Sequence, residues 1–289
     1  MLSLNSDRYA EYLLAVPWAD AVLNPVNIRW SPAEIAYSLN DSGTKVLLVD
    51  ELSLGLAPLV VKDIFSTITS RYDFLNHFLS LRRDIAWRRF TVKKMRFPRT
   101  RRFLDIACGT GDLAIEAVHR HREIRVHGVD FVQAMIDVGK KKVDRAGLSD
   151  RITLASGDAL HLPFRDNTFD VAAMAFGIRN IPDRKGALRE MARVVVPGGQ
   201  IMILEMTFTR NRLFRAVYNI YLNRILPGLA RRFSANPGAY HYLADSIMNF
   251  PTPDQFTALM EESGIEAVDA YPLTLGVTYL HVGVKPNGR

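Results

Sequence analysis

The sequence contains a single cysteine, Cys108, among its 289 residues, and it has no long apolar run. One cysteine excludes an internal disulfide and any metal site built on several thiolates. No stretch approaches the roughly 18 apolar residues of a membrane-spanning helix. Near the N-terminus, Asp7, Arg8 and Glu11 stand where a signal peptide needs an apolar core. These absences predict a cytoplasmic protein without a metal site.

Positive charge is concentrated in two stretches of the chain. The net charge is +7; ten Lys/Arg and one acid lie between residues 82 and 102, and six Arg and no acid between residues 210 and 232. Basic clusters favour an anionic partner, either nucleic acid or the headgroups of a membrane surface. A solvated helix face is the alternative interpretation.

Strand-like and helix-like segments alternate from about residue 61 onward. The predicted strands are 102–106, 125–130, 152–156, 171–175, 200–205, 266–273 and 277–284. The predicted helices are 112–120, 132–145, 184–195, 211–226 and 253–263. This alternation predicts right-handed crossovers and a mainly parallel sheet. The short link between the last two strands predicts that they are antiparallel.

The loop after the first predicted strand is the strongest candidate for a ligand site. It reads Ala107-Cys-Gly-Thr-Gly-Asp112, and Gly109 and Gly111 permit a tight turn and a close ligand approach. Ligands of open α/β sheets bind at the carboxyl ends of the strands, here beside a helix N-terminus with free N–H groups. The glycines also fit a dinucleotide fingerprint, which is weak evidence when it stands alone.

Three acids at successive strand ends indicate whether the ligand is a dinucleotide or a methyl donor. Asp105 precedes the glycine loop, where it would repel a pyrophosphate but attract the cationic amino-acid end of S-adenosylmethionine. Asp130 ends the second strand and can accept from both ribose hydroxyls. Asp158 follows the third strand and can accept from the adenine amino group, while the Ala159 N–H pairs with the ring. Together they predict a methyl-donor site.

Further motifs occur in order between about Val61 and Pro286. They are Phe65–Asn76, Phe103–Asp112, Gly128–Asp130, Leu162–Asp170, Ala175–Asn180, Ala187–Gly199 and Tyr240–Ile247. With these motifs the chain resembles the C-methyltransferases of menaquinone and ubiquinone biosynthesis, the demethylmenaquinone methyltransferase group. The most specific stretches are Arg71-Tyr-Asp-x-x-Asn76, Phe176-Gly-Ile-Arg-Asn180 and Tyr240-x-Tyr-Leu-x-x-Ser-Ile247.

This resemblance implies a class I S-adenosylmethionine-dependent methyltransferase, with a Rossmann-like, mainly parallel seven-stranded sheet whose last strand is antiparallel. It implies C-methylation of a prenylated quinol, demethylmenaquinol to menaquinol; the corresponding ubiquinone-pathway step is the alternative. Carried residue by residue, the cofactor contacts fall on Thr110, Asp130, Asp158 and Ala159. Some members have Ser where this chain has Ala175, so one hydroxyl contact is absent.

Methylation of an aromatic carbon requires stabilisation of a developing phenolate. Arg179, just past the fourth strand, is predicted to stabilise this phenolate, and Asn180 is predicted to orient it. Tyr72 and His281 are weaker candidates for positioning or proton transfer. The region around the predicted helix 211–226 has an apolar stripe beside arginines. Such a stripe is typical of a helix that lies on a membrane surface, and a core-facing helix is the alternative. The stripe comprises Phe208, Leu213, Phe214, Val217, Tyr218, Tyr221 and Leu222.

Residues 1–60 do not share this family resemblance. The stretch Leu23–Asp50 resembles a piece of acyl-CoA synthetases, and Asp50–Phe65 resembles the segment after the Walker B strand of transporter ATPases. No Gly-x-x-x-x-Gly-Lys-Ser/Thr loop supports ATP binding. We therefore expect a composite, non-catalytic extension over residues 1–60 and a methyltransferase domain over residues 61–289.

Two other classes of function remain as alternatives. A nucleic-acid methyltransferase fits the basic stretches, but the sequence has neither an Asn/Asp-Pro-Pro-Tyr/Phe motif nor a catalytic cysteine pair. A non-catalytic or NAD-binding α/β module is disfavoured by Asp105 and Asp158. We expect a prenylated quinol as partner and no nucleic acid, and we leave open a peripheral contact with the inner face of the membrane and a homo-oligomer.

Overall fold

The structure, a computed structural model, describes residues 82–207 and 246–287 together with His77 and Ser80. Within these residues a sheet of seven strands carries helices on its faces. The strands are β1 Arg102–Ile106, β2 Arg125–Asp130, β3 Ile152–Ser156, β4 Phe169–Ala175, β5 Val195–Met206, β6 Glu266–Leu273 and β7 Thr278–Val284. The helices are α1 Arg83–Lys94, α2 Asp112–Arg120, α3 Gln133–Arg145, α4 Arg184–Val194 and α5 Pro253–Glu262. Short 3₁₀ turns occupy Ile178–Asn180 and Thr274–Gly276.

The strand order is β3-β2-β1-β4-β5-β7-β6. Strands β1 to β5 pair in parallel, and β7 runs antiparallel to both β5 and β6. The parallel sheet and the antiparallel last strand are therefore confirmed. The chain order reverses between β1 and β4, and such a reversal is where open α/β sheets bind ligands.

The sheet is buried because alternate side chains of its strands enter two apolar clusters. On β1, Phe103 packs into one cluster with Trp87, whereas Leu104 packs into the other with Phe169 and Phe256. This alternation follows from the two-residue period of a strand. Parallel strands covered on both faces are accordingly apolar along most of their length.

Helices α4 and α5 begin at residues whose side chains accept hydrogen bonds from backbone N–H groups of the first turn. Helix α5 starts with a capping box, in which Thr252 and Gln255 bond to each other's backbone N–H groups, and Pro253 occupies the first turn. The Asp183 side chain accepts from the Gly186 N–H at 2.8 Å at the start of α4.

One predicted boundary needs correction, and one helix was not predicted. The fifth strand was predicted over 200–205, after a helix that ends at 195, yet β5 begins at Val195 and runs through Pro197-Gly198-Gly199. Backbone bonds from the Gly198 N–H to Lys285 O and from the Lys285 N–H to Gly199 O keep this stretch extended. Helix α1 was not predicted as an element, because its apolar residues do not follow a clear helical period. The predicted helix 211–226 lies outside the described residues, as do residues 1–60.

Candidate functional site

A pocket opens at the carboxyl ends of β1 and β4, where the strand order reverses. Its walls are the glycine loop after β1, the Ala175–Phe176 turn after β4 and the side chain of Arg88 from α1. Asp105, Gly109 and Thr110, which were predicted to contact the cofactor, line it. The structure thus places the predicted loop at the position that the topology favours for a ligand.

The glycine loop turns through the left-handed backbone region. Gly109 has φ 54° and Gly111 φ 84°, and the Gly111 N–H donates to Cys108 O at 2.9 Å. A Cβ on Gly109 would meet no atom within 4 Å, so glycine is favoured there for its backbone angle, and open space remains above the loop. That space lets a ligand approach the main chain.

Asp105 is the most perturbed acid in the pocket. Its side chain is 1% exposed and accepts from the Ala114 N–H at 3.1 Å. Burial raises the pKa of Asp105 to about 8, although the Ala114 bond and the charge of Arg88 oppose the rise. A cation bound beside such a buried carboxyl group stabilises its ionised form, so a cationic ligand is favoured at this position.

Asp130 joins the loops after β1 and β2. Its two oxygens accept from the Gly109 N–H at 2.8 Å and the Val132 N–H at 2.9 Å. The backbone O of Asp130 accepts from the Gly157 N–H, which ties in the β3 end as well. Burial raises the pKa of Asp130. A carboxylate oxygen has two lone pairs, so these bonds leave capacity for the predicted ribose contact, which stays a prediction.

Asp158 lies just after the carboxyl end of β3. Its Oδ1 accepts from the Leu160 N–H at 2.9 Å, its Oδ2 lies 3.3 Å from His161 Nδ1, and the side chain is 44% exposed. Neighbouring Ala159 packs against the apolar cluster below the sheet. The ends of β1, β2 and β3 are adjacent in the sheet, so Asp105, Asp130 and Asp158 follow one edge as predicted.

Arg88 is a pocket residue that sequence reasoning missed. Its guanidinium is anchored by Asp84, with Nη1 2.5 Å from Oδ2, and lies 5.6 Å from the centre of the Phe176 ring. Asp84 is buried and also accepts from Ser80 Oγ at 2.6 Å and contacts His77 Nδ1 at 2.7 Å. The only sequence signal was the four-residue spacing of Asp84 and Arg88, which is common on helices.

Arg179 was predicted to contact the substrate, but its side chain is only 6% exposed. Its Nη1 donates to Glu205 Oε1 at 2.6 Å and to Phe176 O at 2.8 Å. This geometry favours a role in shaping the turn after β4. Asn180 lies in the same turn, where its N–H donates to Gly177 O at 3.1 Å. The catalytic contributions of both residues stay predictions.

Of the remaining candidates, only His281 lies within the described residues, and it does not line the pocket. His281 is buried in β7 beside Phe256, with Nε2 3.2 Å from Pro253 O, and burial lowers its pKa to about 4. Tyr72 lies outside the described residues, as does the predicted apolar stripe within 208–222. Among the described residues no cluster of His, Cys, Asp or Glu could hold a metal ion. In the same part of the chain, every helix is too short or too polar to cross a membrane.

The topology and the pocket define a class I S-adenosylmethionine-dependent methyltransferase. A solved structure supports the fold: an S-adenosylmethionine-dependent methyltransferase from Aquifex aeolicus superposes with a TM-score of 0.50 at 16% identity, covering 68% of this chain and 88% of its own. The model of the ubiE/COQ5 methyltransferase family matches residues 54–285. The chain belongs to this family and uses S-adenosylmethionine as its methyl donor.

Two curated relatives are similar over most of their length. The ubiquinone/menaquinone biosynthesis C-methyltransferase UbiE of Geotalea daltonii is 42% identical over 229 residues, which are 78% of this chain and 96% of that protein. The demethylmenaquinone methyltransferase of Bacillus cytotoxicus is 38% identical over 232 residues, which are 79% of this chain and 97% of that protein. The family predicted from the motifs is thereby confirmed.

Proposed function

We propose that this enzyme methylates a ring carbon of demethylmenaquinol to give menaquinol. Family membership and the names of the curated relatives support the quinol substrate. The observation that carries the methyl-donor half is the pocket at the strand reversal, which holds one buried carboxylate, Asp105, and one anchored cation, Arg88. The ubiquinone precursor is the second candidate substrate, since one relative's name covers both pathways.

The residues of the pocket fit the amino-acid end of S-adenosylmethionine. This end is a zwitterion, with an ammonium and a carboxylate on one carbon. Asp105 would accept from the ammonium and Arg88 would bind the carboxylate, both as charge-assisted hydrogen bonds. Binding would also relieve the electrostatic cost of the buried Asp105 carboxyl, whose pKa burial raises.

The bound donor supplies a methyl group on a positively charged sulfur. A quinol hydroxyl loses its proton, and the resulting phenolate increases the electron density at the ortho carbon. That carbon forms a bond to the methyl group while the carbon–sulfur bond breaks, leaving a neutral thioether. Loss of the ring proton from the same carbon restores the aromatic ring. The protein contributes alignment and phenolate stabilisation.

Three residues remain proposed participants in this reaction. Asn180 would orient the quinol oxygen from the turn after β4, and Tyr72 would position the ring. Arg179 supports the same turn through Phe176 O. An Arg179→Ala variant is expected to turn over far more slowly at low S-adenosylmethionine concentration; unchanged turnover at both low and saturating donor would remove Arg179 from every role in the reaction.

Mass spectrometry of quinols tests the substrate. The full chain is incubated with methyl-labelled S-adenosylmethionine and demethylmenaquinol, the demethylated ubiquinone precursor or RNA, in parallel reactions. Label on menaquinol supports the proposal. Label on the ubiquinone precursor alone supports the second candidate, and label on RNA alone refutes quinol methylation.

A truncated donor tests the two charged contacts separately. Decarboxylated S-adenosylmethionine keeps the ammonium but lacks the carboxylate. Arg88→Gln should weaken binding of S-adenosylmethionine by about 10- to 100-fold, the effect of one charge-assisted bond, and weaken the decarboxylated analogue much less, since it loses only the support of Arg88 for the ionised Asp105. Asp105→Asn should weaken both ligands. Equal losses for both ligands in Arg88→Gln would contradict the assigned carboxylate contact.

A prenylated substrate resides in a bilayer, and we propose that the exposed face of α1 docks on anionic lipid. This basic face carries Arg83, Arg89 and Lys93, and the exposed Arg82 and Arg96 flank the helix at its two ends. Arg89 Nε lies 3.5 Å from Glu116 Oε1, and no acid within α1 shares the exposed face.

Vesicle co-sedimentation tests this docking. Anionic phosphatidylglycerol vesicles are compared with zwitterionic phosphatidylcholine vesicles. Removing two charges by Arg89→Gln and Lys93→Gln should weaken binding to the anionic vesicles by about 30-fold, at about 1 kcal/mol per charge. The matched control, Lys140→Gln with Lys141→Gln on the exposed side of α3, should bind as the wild type does. Equal losses in both pairs would refute a specific docking face.

A further inference from the structure

Two residues of the pocket wall adopt a backbone conformation that is uncommon outside glycine. Ala107, after β1, has φ 51°, and Phe176, after β4, has φ 61°. Bulky side chains are rarely found in this left-handed region, and they persist there only when the surrounding structure holds them. Both residues line the pocket, and each directly follows one of the neighbouring strands β1 and β4.

Hydrogen bonds on both sides hold Phe176 in this conformation. Its N–H donates to Leu204 O at 2.8 Å, and its O accepts from Arg179 Nη1 at 2.8 Å. The same Nη1 donates to Glu205 Oε1 at 2.6 Å, and Glu205 Oε2 accepts from the Arg179 N–H at 3.3 Å. Glu205 therefore fixes both the side chain and the main chain of Arg179.

The held turn packs directly against the cofactor loop. A Cβ added to Gly177 would lie 2.6 Å from the Ala107 Cβ, so the two turns are already in close contact. The Phe176 ring lies 6.0 Å from the Trp87 ring, and the guanidinium carbon of Arg88 lies over it at 5.6 Å from its centre. A shift of Phe176 would therefore move both the wall and the neighbouring cation.

A buried ion pair is weak evidence for a purely stabilising role, because desolvation of the two charges offsets most of their attraction. The Glu205 side chain is 2% exposed and that of Arg179 6%, so desolvation is nearly complete. The pair does provide a fixed geometry, since one carboxylate and one guanidinium lock a turn that the chain would otherwise disfavour.

We propose that Glu205 is a positioning residue for the methyl-donor site: through Arg179 it holds Phe176 in its left-handed conformation and so shapes the pocket wall that binds S-adenosylmethionine. The inference rests on the proposed donor site. It assigns to Glu205 and Arg179 an effect on donor affinity, whereas a direct phenolate contact by Arg179 would act on turnover.

A double-mutant cycle on the full chain tests this coupling. Calorimetry measures S-adenosylmethionine affinity in the wild type, Glu205→Gln, Phe176→Ala and the double variant. Each single change is expected to weaken binding about tenfold, and the double variant also about tenfold rather than about 100-fold, because both act on one wall. Additive losses, or unchanged affinity in Glu205→Gln, would overturn the proposal.

Asp170→Asn is the matched control for loss of a buried carboxylate. Asp170 is 0% exposed and accepts from the N–H groups of Arg99, Thr100 and Arg101, at the opposite end of β4. It should lower the melting temperature and leave donor affinity unchanged. A similar affinity loss in this control would reduce the role of Glu205 to general stability and overturn the proposal.

Arg179→Lys distinguishes positioning from catalysis. Lysine keeps the charge but lacks the planar fork that reaches both Glu205 and Phe176 O. We expect weaker donor binding and a kcat near that of the wild type at saturating donor; a lowered kcat with unchanged affinity would contradict us. Loss of folding in both Arg179→Lys and Glu205→Gln would assign the pair to stability and also overturn the proposal. Absence of donor binding by the wild type would instead refute the proposed donor site.

Discussion

The pH dependence of S-adenosylmethionine binding is the sharpest consequence of the buried Asp105. Burial raises its pKa to about 8, so below that pH the free protein carries a neutral carboxyl. The α-amino group of the ligand also titrates near pH 8. The complex requires that Asp105 is an ionised carboxylate and that the α-amino group of the ligand is a protonated ammonium. Affinity should therefore peak near pH 8 and fall on both sides.

The size of this effect follows from the two pKa values. The combination of carboxylate and ammonium makes up about a quarter of the free species at pH 8, about 8% at pH 7 and about 1% at pH 6. Binding should therefore be about threefold weaker at pH 7 and about 25-fold weaker at pH 6 than at pH 8. Calorimetry in buffers of different ionisation enthalpy measures both the affinity and the protons exchanged.

Asp105→Asn provides the comparison for this pH profile. It should weaken binding at pH 8 by about 10- to 100-fold and remove the decline between pH 8 and pH 6. The pKa of Asp105 is raised from its ordinary value of 3.8, so ionisation costs the wild type stability as pH rises from about 4 to about 8. The variant should therefore melt higher than the wild type at pH 8, by a margin that shrinks toward pH 4. A wild-type affinity that is constant from pH 6 to pH 8 would refute the reasoning.

Three other changes to the chain are expected to alter protein stability, donor affinity or methyl transfer separately. Deleting residues 1–58 should leave methyl transfer intact, and loss of activity in a folded truncation would contradict a non-catalytic extension. Gly128→Ala should lower the free energy of unfolding by about 1–3 kcal/mol in denaturant titrations, since the new Cβ would overlap Leu154 and lie 3.0 Å from Cys108 Sγ. Phe256→Ala should cost about 3–5 kcal/mol by leaving a cavity, with donor affinity retained in the folded protein. An affinity loss in Phe256→Ala would show that the core below the sheet couples to the pocket.

Much of the fold could be predicted because the strand and helix periods of the parallel region are strong. Helix α2 and strands β2 and β3 have the predicted bounds, since each is a short apolar or amphipathic segment between turn residues. Pro197-Gly198-Gly199 is read as a break by any local rule, yet hydrogen bonds to Lys285 extend β5 through it. Those bonds come from a segment distant in the sequence, so no local pattern could indicate them.

The sequence by itself determined the class of protein, the methyl donor and the family, because the glycine loop, the strand-end acids and the ordered motifs are local signals. Only the tertiary structure decided which side chains share the pocket. It brought Arg88 from an unpredicted helix to Asp105, and it turned Arg179 toward Glu205. Such pairings depend on how separate elements pack and on which charges lose their water, and a one-dimensional pattern contains neither quantity.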